Sequence, residues 1–358
     1  MFITELEPGG AERNLVRLAA GFALKGHSVT VATIGSKPKN DILLQQLNMS
    51  NISVVHLNCD SKWTVLFAVW RFKSLLRSLS PDIMQSFLYH ANILASLCNL
   101  LKIPHFIGLR VKDPRSGRYR RLARFQQSWS GIVCVSEDVR KHVQQYFEIS
   151  TERIVTIPNG VSMRDIESAK RAPWPKDIID GEEKLVFLGR LDKQKGLDTI
   201  IAELPEMLEH CPKRQLYIIG QGPYRKTIEK AIDKLKHKNR VHLLGYRDDA
   251  LNLLSHGTIL LFPSRWEGMP NVVLEAMALG LPVCATPADG VEELLGHGNG
   301  QIATRDNWGK ALERLLSKPR HQLKAIGEEN AKVVSERYST SKMITEYLSL
   351  YEQESANG

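Results

Sequence analysis

Short, almost wholly apolar runs recur along the chain between amphipathic stretches, and this alternation limits the possible folds more than any other feature. The runs are HSVTVATIG, ISVVHL, DIMQSF, HFIGLR, GIVCVS and RIVTIPN in the first half, and KLVFLGR, QLYIIG, VHLLG, TILLFPS and LPVCAT in the second. Strands that are apolar on both faces are typical of parallel sheets covered by helices. The pattern therefore predicts α/β architecture with doubly wound, Rossmann-like sheets.

The chain is long enough for two domains, since its 358 residues are about twice the usual domain size. Proline, glycine and charged residues mix at 160–183, where the apolar runs pause. We therefore predict one domain over 1–165, a second over 166–337, and a C-terminal helix over 338–358. In doubly wound folds, ligands bind at the carboxyl ends of the strands, so we expect a cleft between the domains.

The composition excludes several classes of protein. Hydrophobic residues make up 43% and charged residues 24%, which excludes disorder. The five cysteines are far apart without a CxxC pair, so neither a zinc site nor a disulfide framework is expected. Residues 1–10 do not resemble a signal peptide, and no apolar run reaches the ~20 residues that cross a bilayer. These features predict a cytoplasmic protein.

The excess positive charge lies in the first half. Residues 1–165 carry 21 Lys and Arg against 12 Asp and Glu, whereas the rest of the chain is balanced. Two segments stand out: 110–124 is rich in arginine, and 63–79 predicts a helix with an apolar face and a basic face. We expect 63–79 and 110–124 to suit an anionic membrane surface; the alternative for the helix is that it packs against the core with its charges solvated. No nucleic-acid-binding motif accompanies the arginines, so a nucleic acid partner is not expected.

Three loops follow strands and suit a phosphorylated ligand. Gly9-Gly10 lies between a short strand and a helix, where glycine permits close approach and the helix start favours phosphate. Arg190 and Lys195 flank a turn after KLVFL and supply the two cations that a diphosphate needs. A tight turn and a charged surface loop are the plain structural alternatives.

The third loop, IIGQGPYR, resembles a dinucleotide fingerprint but departs from it. The position that GxGxxG requires to be glycine is Arg225, and no acidic residue follows at the expected distance. A nicotinamide cofactor is therefore excluded. Gly220 and Gly222 are instead expected to let a base or ribose lie close to the chain.

The most informative segment is FPSRWEGMPNVVLEAMALGLPVCAT. A strand ends at Phe262, and a helix is expected to begin near Asn271, with Glu275 in its first turn. Met269, Pro270, Asn271 and Val272 then surround a helix start, which favours an anion. A carboxylate beside a diphosphate repels it unless the carboxylate accepts hydroxyl groups. Glu267 is expected to reach a polar group beyond the phosphates, and Glu275 a vicinal diol such as ribose.

Together these motifs resemble the retaining glycosyltransferases of family 4, group 1, which have the GT-B fold. Glu267 and Glu275 match the EX7E signature, and PGGAE, IPNGV, FLGRLDKQKGLD and IIGQGP occur in the family's order. The resemblance covers nearly the whole chain. It implies two Rossmann-like domains, the first binding the acceptor and the second the nucleotide sugar, with the last helix crossing back to the first domain.

The resemblance also implies a role for each matching residue. Arg190 and Lys195 neutralise the diphosphate, Glu267 accepts hydroxyls of the donor sugar, and Glu275 holds the ribose. Met269, Pro270, Asn271 and Val272 wrap sugar and phosphate. In the first domain, Gly10 faces the donor phosphates and His90 meets the donor sugar, although a lone histidine is more often structural.

The implied reaction is sugar transfer from a nucleotide diphosphate sugar, with UDP expected from family frequency, to a hydroxyl with retained configuration. Front-side displacement is the mechanism usually proposed, and no metal or other cofactor is expected. The basic first domain suits a lipid-linked or polysaccharide precursor at the inner face of the cell membrane, although a soluble acceptor stays open. The alternatives are a nucleotide-sugar epimerase of the same fold and a binding protein without turnover.

Overall fold

The computed structural model describes residues 1–113, 115–209 and 211–357, which form two compact units. The first unit comprises 1–160 together with the segment from Thr340 onward, and the second is Val161–Ser339. The chain therefore divides at Gly160, five residues before the predicted boundary at 165. Tyr338, which the sequence analysis assigned to the C-terminal helix, belongs to the second unit.

The first unit contains a seven-stranded parallel sheet in the order β3-β2-β1-β4-β5-β6-β7. Its strands are β1 (Phe2–Ile3), β2 (Thr30–Thr33), β3 (Ser53–His56), β4 (Met84–Phe87), β5 (His105–Leu109), β6 (Gly131–Cys134) and β7 (Ile154–Thr156). Every residue of β4, β5 and β6 is buried, as expected for strands covered on both faces. The six predicted runs in this half each contain a strand.

The helices of the first unit are α1 (Gly10–Leu24), α2 (Ile42–Met49), α3 (Val65–Leu79), α4 (Tyr89–Cys98), α5 (Ser116–Ala123), α6 (Glu137–Val143) and the last helix of the chain, α15 (Thr340–Asn357). The face of α1 that carries Leu15, Leu18 and Phe22 is buried. This spacing of three to four residues is the period of an amphipathic helix on a sheet.

Helix α15 contributes to the core of the first unit. Met343, Tyr347 and Tyr351 are buried on it and pack with residues of α1 and of the sheet. The hydroxyl of Tyr351 donates a hydrogen bond of 2.9 Å to the side-chain oxygen of Gln85 in β4. The last helix is thus a structural element of the first unit.

The second unit contains a five-stranded parallel sheet in the order β10-β9-β8-β11-β12. Its strands are β8 (Glu183–Leu188), β9 (Arg214–Ile219), β10 (Val241–Gly245), β11 (Ile259–Phe262) and β12 (Val283–Ala285). Its helices are α7 (Met163–Arg171), α8 (Leu197–Glu209), α9 (Arg225–Ile232), α10 (Ala250–Ser255), α11 (Asn271–Leu279), α12 (Val291–Leu295), α13 (Trp308–Leu316) and α14 (Arg320–Arg337). The predicted doubly wound α/β fold is confirmed.

The arginine-rich segment 110–124 does not present one continuous row of cations. Arg110 turns inward, where it donates a hydrogen bond to the side-chain oxygen of Asn159. Asp113 forms ion pairs of 2.9 Å with Arg115 and 2.8 Å with Arg118. The exposed arginines of α5 and its C-terminal end are Arg120, Arg121 and Arg124. The positive charge of this segment is thus partly internal and partly neutralised.

In the described parts of the chain, no helix combines the length and the hydropathy needed to cross a membrane.

A buried polar network joins β4, β5 and α4. The hydroxyl of Ser86 donates to Asn92 Oδ1 at 2.8 Å and also lies 2.8 Å from His105 Nε2. Because that hydroxyl hydrogen is used, His105 donates through Nε2, and its Nδ1 has no hydrogen-bond partner among the described residues. A proton on Nδ1 would be a buried, uncompensated charge. Burial accordingly lowers the pKa of His105 to about 3.

We expect this histidine to make the first unit sensitive to acid. Below pH 6.5, His105 takes up a proton in the unfolded chain, whereas in the folded chain it stays neutral down to about pH 3. The free energy of unfolding therefore falls as the pH falls. At pH 5 the loss is about 2 kcal/mol. His105→Gln removes this titratable group. It should reduce the difference between the free energies of unfolding measured in urea at pH 7 and at pH 5. The exposed His321→Gln serves as the control, and equal slopes for both variants would contradict the prediction.

Candidate active site

The strand order of the second unit defines where a ligand is expected to bind. The first strand of this unit, β8, lies between β9 and β11. The sheet is extended on one side of β8 by β9 and β10, and then on the other side by β11 and β12. In parallel α/β sheets, ligands bind at the carboxyl edge of such a switch point. The loops that follow β8 and β11 are residues 189–196 and 263–270. They contain Arg190, Lys195, Glu267, Met269 and Pro270.

Hydrogen bonds tie these two loops together. The amide of Arg265 donates to the carbonyl oxygen of Gln194 at 2.8 Å, and the side chain of Gln194 donates back to the carbonyl oxygen of Trp266 at 2.7 Å. Arg265 also pairs with Asp198 in the first turn of α8. The position of one loop is therefore fixed by the other. Gln194, Arg265 and Asp198 lie within quoted motifs, but the sequence analysis gave them no role because their partners are distant in sequence.

The centre of this arrangement is an ion pair between Lys195 and Glu267. The Lys195 Nζ atom lies 2.6 Å from Glu267 Oε1, and the two side chains are only 21% and 10% exposed. A short ion pair that is largely shielded from water is stronger than a surface pair. The structure thus brings one predicted cation against one predicted carboxylate.

Arg190, the second predicted cation, lies apart from that pair. Its side chain is 71% exposed, and its Nε atom is 3.5 Å from the carboxylate of Asp192. An exposed pair of this kind contributes little and leaves the guanidinium accessible. Arg190 is therefore a cation on an accessible side chain, whereas Lys195 is already held by a carboxylate.

Helix α11 begins at the same edge. Pro270 is its N-cap, and the amides of Asn271 and Val272 point out of the amino end, where the helix dipole favours an anion. Met269, just before the cap, is buried. The sequence analysis expected Glu275 in the first turn of α11, and this was wrong. Glu275 lies four residues after Asn271, one turn further in and on the same side of the helix as Asn271.

Gly196 is required by close packing of the two loops. It has a φ of +67°, and a Cβ atom at this position would lie 1.8 Å from the carbonyl oxygen of Pro263. Any side chain would therefore push apart the loops that carry Lys195 and Glu267. The glycine after the lysine is a condition for their contact.

Gly220 and Gly222 serve the packing of the chain on itself. A Cβ atom on Gly220 would lie 1.9 Å from the carbonyl oxygen of Gly189, and one on Gly222 would lie 2.2 Å from that of Leu191. The sequence analysis explained both glycines by the approach of a ligand. The structure gives a different physical reason, since the space is taken by the loop after β8.

The first unit has a corresponding switch point between β1 and β4. Gly10 opens α1 after β1, and His90 lies in the first turn of α4 after β4. The turn into α4 is strained, because Leu88 adopts a φ of +72°, which is rare for a residue with a branched side chain. The two residues selected in the first half of the sequence thus belong to the same edge of one sheet.

His90 is an exposed side chain in a positively charged setting. Its ring lies edge-on to Tyr89, with 5.1 Å between the centroids, and the guanidinium of Arg118 stacks on Tyr89 at 4.7 Å. Partial burial, together with Arg118 and Arg115, lowers the pKa of His90 below its usual value. A neutral imidazole offers one donor and one acceptor to a ligand.

Glu12 is a titratable residue near this edge to which the sequence analysis gave no role. It lies in the first turn of α1, and its carboxylate folds back onto the backbone at Gly9. Burial raises the pKa of Glu12 to about 7, although Arg110 nearby partly opposes the shift. The acidic residue in PGGAE is a signal that could have drawn attention to it.

The described residues contain no group of three or more His, Cys, Asp or Glu side chains arranged to hold a metal ion. Asp192 and Asp249 instead neutralise the neighbouring Arg190 and Arg247. Cationic side chains and a helix start are the groups that the structure places at the edge of the second sheet.

Comparison with known proteins agrees with this geometry. Residues 8–164 match the family described as Glycosyltransferase Family 4, and residues 182–318 match Glycosyl transferases group 1. This chain belongs to the group 1, family 4 glycosyltransferases.

Two curated relatives and one solved structure illustrate the similarity. The gpi3 subunit of phosphatidylinositol N-acetylglucosaminyltransferase from Schizosaccharomyces pombe is 27% identical over 81% of this chain, which spans 65% of that protein. Lipopolysaccharide glucosyltransferase WaaG from Escherichia coli is 26% identical over 90% of both chains. The crystal structure of Anabaena HepE in complex with UDP and glucose has a TM-score of 0.82 at 20% identity, covering 97% of this chain and 98% of that one. The fold is GT-B.

The contact at Gly196 leads to a prediction about stability. Gly196→Ala adds both the strain of a positive φ and a collision with Pro263, whereas Gly298→Ala, with a φ of +86° and open space around it, adds the strain alone. The strain costs about 1 kcal/mol in each variant. We expect Gly196→Ala to lower the free energy of unfolding of the second unit by at least about 1 kcal/mol more than Gly298→Ala. Equal losses in chemical denaturation would contradict the prediction.

Proposed function

We propose that this protein transfers a sugar from a nucleotide diphosphate sugar, with UDP as the nucleotide, to a hydroxyl group of a lipid-linked or polysaccharide precursor. The observation that carries the proposal is the Lys195–Glu267 pair beside the start of α11 at the switch point of the second sheet. This arrangement places cations, helix amides and a carboxylate at one edge. A nucleotide sugar presents complementary groups, namely a diphosphate and sugar hydroxyls.

In this proposal, the second unit binds the donor. The diphosphate lies at the amino end of α11, against the amides of Asn271 and Val272, with Lys195 and Arg190 as counter-charges. Glu275, one turn into the helix, accepts the two hydroxyls of the ribose. Met269 and Pro270 hold the loop that covers the phosphates. The glycines at 220 and 222 let the loop after β9 pack under this site.

Glu267 has two partners in succession in this proposal. One is Lys195, whose Nζ atom donates a hydrogen bond to the carboxylate. When the diphosphate arrives, Lys195 gains a second anionic partner, and Glu267 accepts hydroxyl groups of the donor sugar. The carboxylate thereby orients the sugar and keeps the lysine in place before the ligand is bound.

The transfer step is a front-side displacement. The bond between the anomeric carbon and the diphosphate oxygen breaks, a bond from that carbon to the acceptor oxygen forms on the same face, and the acceptor proton passes to the departing oxygen. Negative charge grows on the diphosphate during this step. Lys195, Arg190 and the helix dipole stabilise that charge, which is the main contribution of the protein to the rate.

The acceptor is assigned to the first unit, where Gly10 and His90 mark the edge of the sheet. A neutral His90 can accept a hydrogen bond from a hydroxyl group. The names of two relatives, which act on phosphatidylinositol and lipopolysaccharide, support an acceptor that carries a lipid. The UDP in the Anabaena structure supports the choice of nucleotide.

The donor site is tested by thermal shift with a panel of nucleotide diphosphates and their sugars. We expect one UDP-sugar to raise the melting temperature of the wild type and to lose at least tenfold in affinity in Glu275→Ala, because the ribose loses its acceptor. Glu329→Ala, an exposed glutamate on α14, should behave as wild type. An epimerase would convert the bound donor into a second sugar without acceptor, and that product would contradict transfer.

Metal independence is part of the proposal, since Lys195, Arg190 and α11 provide the positive charge. Transfer measured with excess EDTA should keep its full rate. Loss of activity with chelator and recovery with added Mg²⁺ or Mn²⁺ would contradict this expectation. Wild type dialysed against buffer alone is the control.

Retention is tested on the product. Proton NMR of the first-formed glycoside should show the same anomeric configuration as the donor, because both bonds lie on one face of the sugar. A short time course separates the enzymatic product from later mutarotation of any free sugar. An inverted product would contradict front-side displacement and point to attack from the opposite face.

A further inference from the structure

One face of helix α3 packs against the core of the first unit. Ala68, Phe72 and Leu76 are buried at intervals of four residues, and the ring of Phe72 stacks on Phe2 of β1 with centroids 4.1 Å apart. These residues anchor the helix to the sheet of the first unit. The sequence analysis left open whether the apolar residues of 63–79 face the core. In the structure, some of them are buried against the core and others are exposed.

A second apolar surface lies on the opposite side of α3 and faces solvent. Trp63 is 94% exposed, Leu66 82%, Phe67 53% and Trp70 61%, and we call these four residues the aromatic patch. At 100° per residue, Leu66 and Trp70 lie about 160° and 200° around the helix from buried Ala68. Exposed aromatic residues that cluster in this way mark an interaction surface, because water disfavours them.

The end of the next helix contacts α3 and carries exposed apolar residues of its own. Cys98, the last residue of α4, has its sulfur 3.9 Å from the carbonyl oxygen of Val69 in the first half of α3. Leu97, Leu100 and Leu101 are exposed around that point. Two elements of the first unit therefore contribute apolar side chains to one region of the surface.

The charged residues of α3 have a single sign. Arg71 stacks over the ring of Phe67 at 5.6 Å, and Lys73 and Arg77 follow on the same helix. Arg77 is two turns, about 10 Å, beyond Trp70 on the same side. Residues 61–81 and 83–112 contain no aspartate or glutamate. Apolar side chains at one end of the helix thus precede basic side chains at the other, without carboxylates between them.

We propose that the aromatic patch inserts into the interface of an anionic lipid bilayer, with the basic residues of α3 at the level of the headgroups. Tryptophan and phenylalanine favour this interface, and Lys and Arg behind them are attracted to anionic lipids. The surface is that of a protein that lies on a membrane. The proposal does not depend on the transfer reaction, since it can be tested without donor or acceptor.

The experiment is flotation of the full chain with phosphatidylcholine vesicles, with and without phosphatidylglycerol. We expect the wild type to bind the anionic vesicles at low salt and to be released at high salt. Trp63→Ser/Leu66→Ser/Trp70→Ser should weaken binding by at least about tenfold. The matched control, Leu24→Ser/Met49→Ser, replaces exposed apolar residues of the same unit outside the patch and should bind as wild type.

The basic residues are tested separately. Lys73→Gln/Arg77→Gln should weaken binding to anionic vesicles several-fold, whereas Arg120→Gln/Arg121→Gln on α5 should not. Circular dichroism of each variant verifies that the fold is kept. Absence of wild-type binding at low salt, or equal binding of the triple patch variant, would overturn the proposal. A wild-type dimer that the triple variant converts to monomer, without vesicle binding, would assign the patch to a second copy instead and would also overturn it.

Discussion

The contact between the loops after β8 and β11 is the interaction on which the candidate site of the second unit depends. These loops belong to strands that are neighbours in space but separated in sequence by the whole of α8, β9, α9, β10 and α10. Two hydrogen bonds through Gln194 and the Lys195–Glu267 pair hold them together. Because each partner is largely shielded from water, moving one loop would leave a poorly solvated charge in the other. Contacts within the protein thus hold the two loops of the site together.

The repeating part of this fold was accessible to sequence reasoning, because it depends on local patterns. Eleven apolar runs each contain a strand, and the glycine-rich and EX7E motifs lie at the carboxyl edges of the sheets. Strand order in parallel sheets brings loops that are distant in sequence to one edge. This is why Gly10, Lys195 and Glu267 could be selected before their positions were known, whereas His90 was selected by the family resemblance.

The parts that sequence reasoning missed depend on contacts between distant segments. Gly220 and Gly222 were selected for a ligand, and their close contact with the loop after β8 was not foreseen. Arg110 was counted among surface cations, although Asn159 binds it inside the first unit. Helix α3 is apolar on both sides, and periodicity alone does not say which side the sheet covers. In each case the deciding partner lies tens of residues away, and nothing in the sequence indicates the contact.

The position of α15 has a consequence for how the protein is made. Tyr347 and Tyr351 fill the core of the first unit, yet they are synthesised only after the whole second unit. During translation, the strands of the first unit are synthesised before the second unit, Val161–Ser339. Helix α15, which completes the core of the first unit, is synthesised after the second unit. The second unit is continuous in sequence and can complete its core as soon as it leaves the ribosome. The first unit is thus completed after the second, and a ribosome that stops before Thr340 releases it without part of its core.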